Sequence, residues 1–160
     1  MTEPVATETT VREAQTADVE GVATAVESLL AELGGRCPAR SELEAEARAL
    51  LEDREDGSVL IAEADGKIVG VLSASWQRAI HVPGVYATIQ DLWVDEDWRS
   101  RGVGAELVEA IASQARTRGV SRLEVGLPRE TFAAIASTES FYRRNGFEPL
   151  GPRMRRLLDD

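Results

Sequence analysis

Leu92-Trp93-Val94-Asp95-Glu96-Asp97-Trp98-Arg99-Ser100-Arg101-Gly102-Val103-Gly104-Ala105 runs from an apolar β-like segment through an acidic turn into a basic, glycine-bearing loop. The helical pattern Glu106-Leu107-Val108-Glu109-Ala110-Ile111 follows without a break. Strand, loop and helix start in this order make a phosphate-binding arrangement. The first N–H groups of a helix have no intrahelical acceptor, and the helix dipole adds partial positive charge there. Gly102 and Gly104 lack a Cβ and let an anion approach the backbone, while Arg99 and Arg101 bring full positive charge. The ligand this implies is a diphosphate.

Outward from this loop, the pattern is that of a layered chain. Val11–Ala14 reads as a first strand. Asp18 is placed to cap a helix whose apolar positions Val19, Val22, Val26, Leu29, Leu30 and Leu33 recur at helical spacing, with Gly34-Gly35 ending it. Ser41 and Glu44 predict a capping box for a second helix carrying Leu43, Ala47, Leu50 and Leu51. Ser58–Ala64 and Lys67–Trp76 read as a hairpin through Asp65-Gly66. A turn at His81–Gly84 leads to a strand over Val85–Val94. The loop then feeds a helix over about 101–118, with Val103, Leu107, Val108, Ile111 and Ala115 buried and Gly119 as its stop. Ser121–Leu127 reads as a strand, a helix ends near Asn145-Gly146, and Phe147–Leu150 and Arg153–Leu158 read as closing strands. The order predicts an α/β (α+β layered) domain with a mixed sheet, the strands around the 101–118 helix running parallel.

At 160 residues, 43% apolar and 29% charged, the chain has the composition of one soluble globular domain. We expect that domain over residues 11–160 and a flexible tail over 1–10, which lacks the basic and apolar regions of a secretory signal. No apolar run is long enough to span a bilayer, so no membrane partner is expected. The single Cys37 has no disulfide partner and suits a reducing cytoplasm. With only His81 beside it, it offers neither a nucleophile–base pair nor a metal cluster, and no metal is expected. Residues 1–65 hold 16 Asp/Glu against 5 Arg, and residues 66–160 hold 12 Asp/Glu against 13 Lys/Arg. A net charge of −10 disfavours nucleic acid. The acidic first half reads either as solvated helix faces or as an attractant for a cationic substrate.

The loop is neither the three-glycine dinucleotide fingerprint, since Leu107 holds the third glycine position, nor a P-loop, since Gly-Lys-Ser/Thr is absent. Arg99-Ser100-Arg101-Gly102-Val103-Gly104 does resemble the Arg/Gln-x-x-Gly-x-Gly/Ala motif of the GNAT N-acetyltransferase superfamily. Phe141-Tyr142-Arg143-Arg144-Asn145-Gly146-Phe147 resembles that family's Phe-Tyr-x-x-x-Gly-Phe, and the order of elements fits from about residue 10 to 158.

The resemblance implies a GNAT-like mixed central β-sheet of six to seven strands flanked by about four helices. It implies acetyl transfer from acetyl-CoA to a primary amine of a small molecule, by direct attack in a ternary complex. A non-catalytic acyl-CoA-binding sensor or interaction module of the same fold is the alternative. The pyrophosphate would sit on Arg99, Ser100, Arg101, Gly102, Val103, Gly104 and Ala105. The pantetheine arm would pair with the backbone of Leu92, Trp93 and Val94, where a bulge splays the sheet. Tyr142 would protonate the leaving thiolate. Asp91, the one carboxylate within Tyr86–Val94, is the candidate base, with a buried structural acceptor as its other reading. Strand alternation allows only one of Gln90 and Asp91 to face the acceptor. The family's Asn and Ala before Phe-Tyr are Ile135 and Thr138 here, so Ser137, Thr138 or Ser140 would take over the pantetheine contact. Cysteine usage and the lack of a secretory signal lead to a cytoplasmic expectation, and analogy with the family to a homodimer.

Overall fold

The computed structural model describes residues 8–158. The tail expected over 1–10 falls largely outside them, and Thr10 already opens the first strand. The described chain divides into two compact units, one ending at Val125 and one beginning at Gly126.

The first unit contains β1 (Thr10–Glu13), a short 3₁₀ turn (Thr16–Asp18), α1 (Val19–Leu33), α2 (Arg40–Glu52), β2 (Gly57–Ala64), β3 (Lys67–Arg78), β4 (Val85–Val94), a second 3₁₀ turn (Glu96–Trp98), α3 (Val103–Thr117) and β5 (Leu123–Val125). The strands form one sheet in the order β1-β2-β3-β4-β5, antiparallel except for the parallel β4–β5 pair that α3 connects. β2 and β3 are joined through Asp65 and Gly66, whose φ values of 49° and 75° give the twist that a two-residue hairpin turn requires.

Alternation along the strands sends side chains to two cores. Val59, Ile61 and Val71 pack with Ala14, Val19, Val22, Ala25 and Ala47 under α1 and α2, joined by the half-buried Trp93. On the other face lies α3, whose buried residues are Val103, Leu107, Val108, Ile111 and Ala115, the stripe that periodicity predicts. Gly70 lets α3 approach, since a Cβ there would meet Leu107 Cδ1 at 2.9 Å and Val103 Cγ1 at 3.0 Å.

Three local expectations are corrected. Asp18 precedes α1 but does not cap it; its carboxylate accepts from Gln15 N at 2.7 Å and pairs with Arg12 at 2.8 Å. α2 begins at Arg40, where Glu42 rather than Glu44 reaches back to Ala39 N at 2.8 Å, and Glu44 pairs with Arg40 instead. β5 covers only Leu123–Val125 of the expected Ser121–Leu127.

The second unit contains α4 (Ile135–Arg144) and an irregular segment after it. Phe147–Leu150 and Arg153–Leu158 are not strands, so the sheet has five strands among the described residues rather than six to seven. Pro149 and Pro152 remove ladder donors, and Gly151 sits at φ 128°, so the backbone between the two apolar stretches cannot hold a continuous ladder. Among the described residues no helix is long and apolar enough to cross a membrane.

Candidate functional site

β4 carries the chain to the loop. Asp95 N extends the β3 pairing to Val69 O at 2.8 Å, and the Asp95 carboxylate accepts from Asp97 N at 3.0 Å, turning the chain. Ser100 (φ 61°) and Gly102 (φ 87°) both take left-handed conformations on either side of Arg101. The first helical bond runs from Glu106 N to Gly102 O at 3.0 Å. The amides of Val103, Gly104 and Ala105 precede it, so they have no intrahelical acceptor and carry the positive end of the α3 dipole.

The two arginines of the loop differ in their surroundings. Arg99 Nε donates to Val94 O at 3.0 Å and its guanidinium forms an ion pair with Glu32 at the end of α1. It is therefore engaged in closing the loop back onto β4. Arg101 stands over the Trp98 ring at 4.9 Å and remains exposed. Trp98 is thus a platform that the motif did not announce; its signal was an aromatic three residues before an arginine in a tight turn.

The sheet opens beside this loop. β4 stays paired to β3 as far as Val94↔Gly70, but its parallel pairing to β5 stops at Ile89↔Val125. From Gln90 to Val94 the far edge of β4 has no partner strand among the described residues of this unit. The β3–β4 register shifts between Ser73↔Asp91 and Ala74↔Ile89, which leaves Gln90 as the extra residue of a β-bulge. Leu92 lies opposite Leu72, Trp93 packs under α1 and α2, and Val94 lies opposite Gly70, so what these three present at the open edge is backbone.

The bulge also changes which way side chains point. Gln90 Nε2 donates to Ser75 Oγ at 2.9 Å, and Ser73 Oγ donates to Asp91 Oδ2. Ser73 and Ser75 are two apart on β3 and share a face. Gln90 and Asp91 therefore face the same way, contrary to the expectation from simple alternation. Thr88 Oγ1, which donates to Gln77 Oε1 at 2.7 Å, continues this polar row along β3 and β4.

In the second unit, Tyr142 is 8% exposed and lies edge-on to Phe141 and Phe147, with ring centroids 5.1 and 5.3 Å away. Burial pushes its phenol up to about 12, so it stays protonated at neutral pH. Thr138 is half-buried in the first turn of α4, and Ser137 Oγ is occupied by Ala134 O at 2.9 Å.

A cavity of about 320 Å³ opens elsewhere in the first unit, lined in part by Glu13, Leu50, Arg54, Ser58, Gln114 and Arg118. It lies at the C-terminal end of α3, about 20 Å of helix from the loop. Its polar groups satisfy one another: Ser58 Oγ donates to Gln114 Oε1 at 2.7 Å, Gln114 Nε2 to Glu13 Oε1 at 3.0 Å, and Arg54 pairs with Glu13 at 3.0 Å. Among the described residues no cluster of three His, Cys, Asp or Glu side chains could hold a metal, and Cys37 is exposed and free.

Residues 25–147 match the model of the acetyltransferase (GNAT) family. The chain is 30% identical over 135 residues to the IAA acetyltransferase of Azospirillum brasilense, covering 83% of this chain and 84% of that protein. It is 33% identical over 100 residues to an uncharacterised N-acetyltransferase of Methanocaldococcus jannaschii, covering 61% of this chain but only 42% of that protein's length. Among solved structures, one described as a possible acetyltransferase from Clostridium difficile 630 superposes with a TM-score of 0.78 at 21% identity, covering 95% of this chain and 99% of that one.

Proposed function

The chain belongs to the acetyltransferase (GNAT) family, and from that premise we propose that it transfers acetyl from acetyl-CoA to a primary amine of a small, cationic molecule by direct attack in a ternary complex. The observation that carries this reading is the adjacency of two features. A loop of unpaired amides at the α3 N-terminus follows directly on a β4 edge left open from the Gln90 bulge to Val94. The residues fit acetyl-CoA in kind: amides and Arg101 for a diphosphate, and a strand edge for the amide groups of the pantetheine arm.

Bound acetyl-CoA supplies a thioester whose acyl carbon the amine lone pair attacks, the C–N bond forming as the C–S bond breaks and sulfur leaves with the electron pair. The amine must first lose a proton, because its ammonium form, with a pKa of about 10, has no lone pair. We assign that proton to Asp91, whose Oδ2 is held by Ser73 and whose Oδ1 has no hydrogen-bond partner among the described residues. We assign the developing oxyanion to the open β4 amides. Tyr142 is assigned to the leaving sulfur on its motif. With its phenol at about 12 it acts by donating a hydrogen bond rather than giving up its proton, since a thiol has a pKa of about 8.5. The net proton then comes from the attacking nitrogen.

Calorimetric titration with acetyl-CoA, CoA and ATP tests the cofactor, with Gly104→Glu as the control that fills the loop. Micromolar binding of the two CoA species alone, lost in the variant, is the expected result; preference for ATP overturns the reading. Thiol release is then read with spermidine, kanamycin and an alanine-initiated peptide as acceptors. Turnover with spermidine or kanamycin supports the cationic small-molecule acceptor. CoA binding without turnover on any amine would mark a sensor of the same fold.

A further inference from the structure

The cavity at the C-terminal end of α3 takes no part in the reaction above. It exists because three elements stop short of one another. β1 ends at Glu13, opposite Leu60, and Ala14 N makes a last link to Val59 O at 2.9 Å. Ser58 and Gly57 lie beyond that link on β2, with no strand on the β1 side among the described residues. α2 stops at Glu52 and α3 at Thr117. The space left holds about 320 Å³, within the size range of small-molecule sites. Part of its lining is apolar: Ala14 and Val59 are buried, and Leu50 and Leu51 are half-buried. The rest is polar, and its acceptors are already taken. Among the described residues that line it, Glu13 is the one carboxylate; one oxygen accepts from Gln114 Nε2 at 3.0 Å and the other pairs with Arg54 at 3.0 Å. Gln114 Oε1 accepts from Ser58 Oγ at 2.7 Å. Donors are left over. Arg54 is engaged through Nη2 alone, and Arg118 through Nη2 alone, which donates to Arg54 O at 2.7 Å. The Nε and Nη1 of both arginines have no partner among the described residues. Arg118 is also seated over the Trp76 ring at 4.7 Å.

We propose that this cavity binds a small carboxylic acid as its anion, the carboxylate on Arg54 and Arg118 and an apolar body on Leu50, Leu51 and Val59. A carboxylate only accepts hydrogen bonds, and it matches the planar fork of a guanidinium. It therefore answers the surplus donors. A cation would meet two guanidinium groups and no unoccupied carboxylate oxygen. Inorganic phosphate would satisfy the arginines but leave the apolar lining in water. The proposal does not depend on the acetyltransferase reading. None of the cavity's residues lies on β4 or in the loop from Asp95 to Gly102, and α3 separates the two places along its length.

The test titrates 3-phenylpropionate, 3-phenylpropylamine and inorganic phosphate into the full chain by calorimetry. The acid should bind saturably at one site, and the amine and phosphate about 10-fold more weakly or not at all. Arg54→Gln and Arg118→Gln, both at exposed positions, should each raise the Kd of the acid about 10-fold. Ser113→Phe places a ring in the cavity from an exposed position and should abolish binding, with an unchanged melting temperature showing that the fold is intact. Nuclear magnetic resonance then locates the site. The indole Nε1 of Trp76 is buried without a partner, and its ring lies under Arg118. Its N–H signal, assigned with Trp76→Phe, should move as the acid saturates, while that of Trp98 beside the phosphate loop should stay. Equal affinity for the amine, or phosphate bound as tightly as the acid, overturns the ligand class. Binding that survives Ser113→Phe, or that moves the Trp98 signal instead, overturns the site, and the absence of saturable binding overturns both.

Discussion

Two left-handed residues build the loop, and only one was visible in its identity. Gly102, at φ 87°, is a glycine where a glycine is expected; Ser100, at φ 61°, adopts the same region at a steric cost of about 1–2 kcal/mol. Gly102→Val should therefore do two things: strain the helix start by about 1–3 kcal/mol and raise the acetyl-CoA Kd by 10-fold or more, read by denaturant unfolding and calorimetry. Ser100→Gly should leave affinity unchanged and raise stability slightly. Tyr142 makes a separate prediction. Its phenol is raised by burial from the ordinary 10.0 to about 12. A group raised on folding stabilises fully below its unfolded pKa and loses that contribution as pH rises toward its folded one. The melting temperature should fall between about pH 10 and pH 12, and Tyr142→Phe should flatten that limb while lowering turnover.

At the scale of elements, α3 is the hinge between fold and site, because its buried stripe fixes where its first turn points. The stripe Val103, Leu107, Val108, Ile111 and Ala115 was legible because helical periodicity is local. The hairpin at Asp65-Gly66 was legible for the same reason. The start of α2 was not, since Glu42 and Glu44 each stand three residues after a residue that can precede a helix, and only the path of the chain into Ala39 chooses between them. Gly70 shows what packing adds. A side chain there would press on Leu107 and Val103 at about 3 Å. Gly70→Val should cost about 1–3 kcal/mol in chemical denaturation, and should weaken acetyl-CoA binding from a distance because Val103 is the first residue of α3.

For the whole molecule, six of the 16 carboxylates of residues 1–65 pair with arginines. Arg12 joins Asp18 and Glu63, Arg40 joins Glu27 and Glu44, Arg54 joins Glu13, and Arg99 joins Glu32. Those six have structural roles, and the first half keeps its excess of negative charge. Asp18 is the most consequential: the hydrogen bond from Arg12 holds its carboxyl below the usual range, against the opposing effect of burial. A carboxyl lowered on folding stabilises above its unfolded pKa, about 3.9, and loses that contribution as pH falls through its folded value. Asp18→Asn should lower the melting temperature at neutral pH, with the gap to wild type closing in strong acid.

What the sequence determined by itself was what neighbours in the chain determine: the order of elements from β1 to β5, the buried stripes, the hairpin, the parallel crossover and the loop motif, but not the two closing strands expected after α4. Each depends on spacing of a few residues or on the conformational range of one glycine. The tertiary structure decided which groups of the site are free and where they point. Arg99 is held by Glu32, 67 positions away in the chain. Asp91 is held by Ser73 across the sheet, and Gln90 joins it on one face only because β3 and β4 pair out of step there. A bulge is a property of two strands in register, and no single strand carries it.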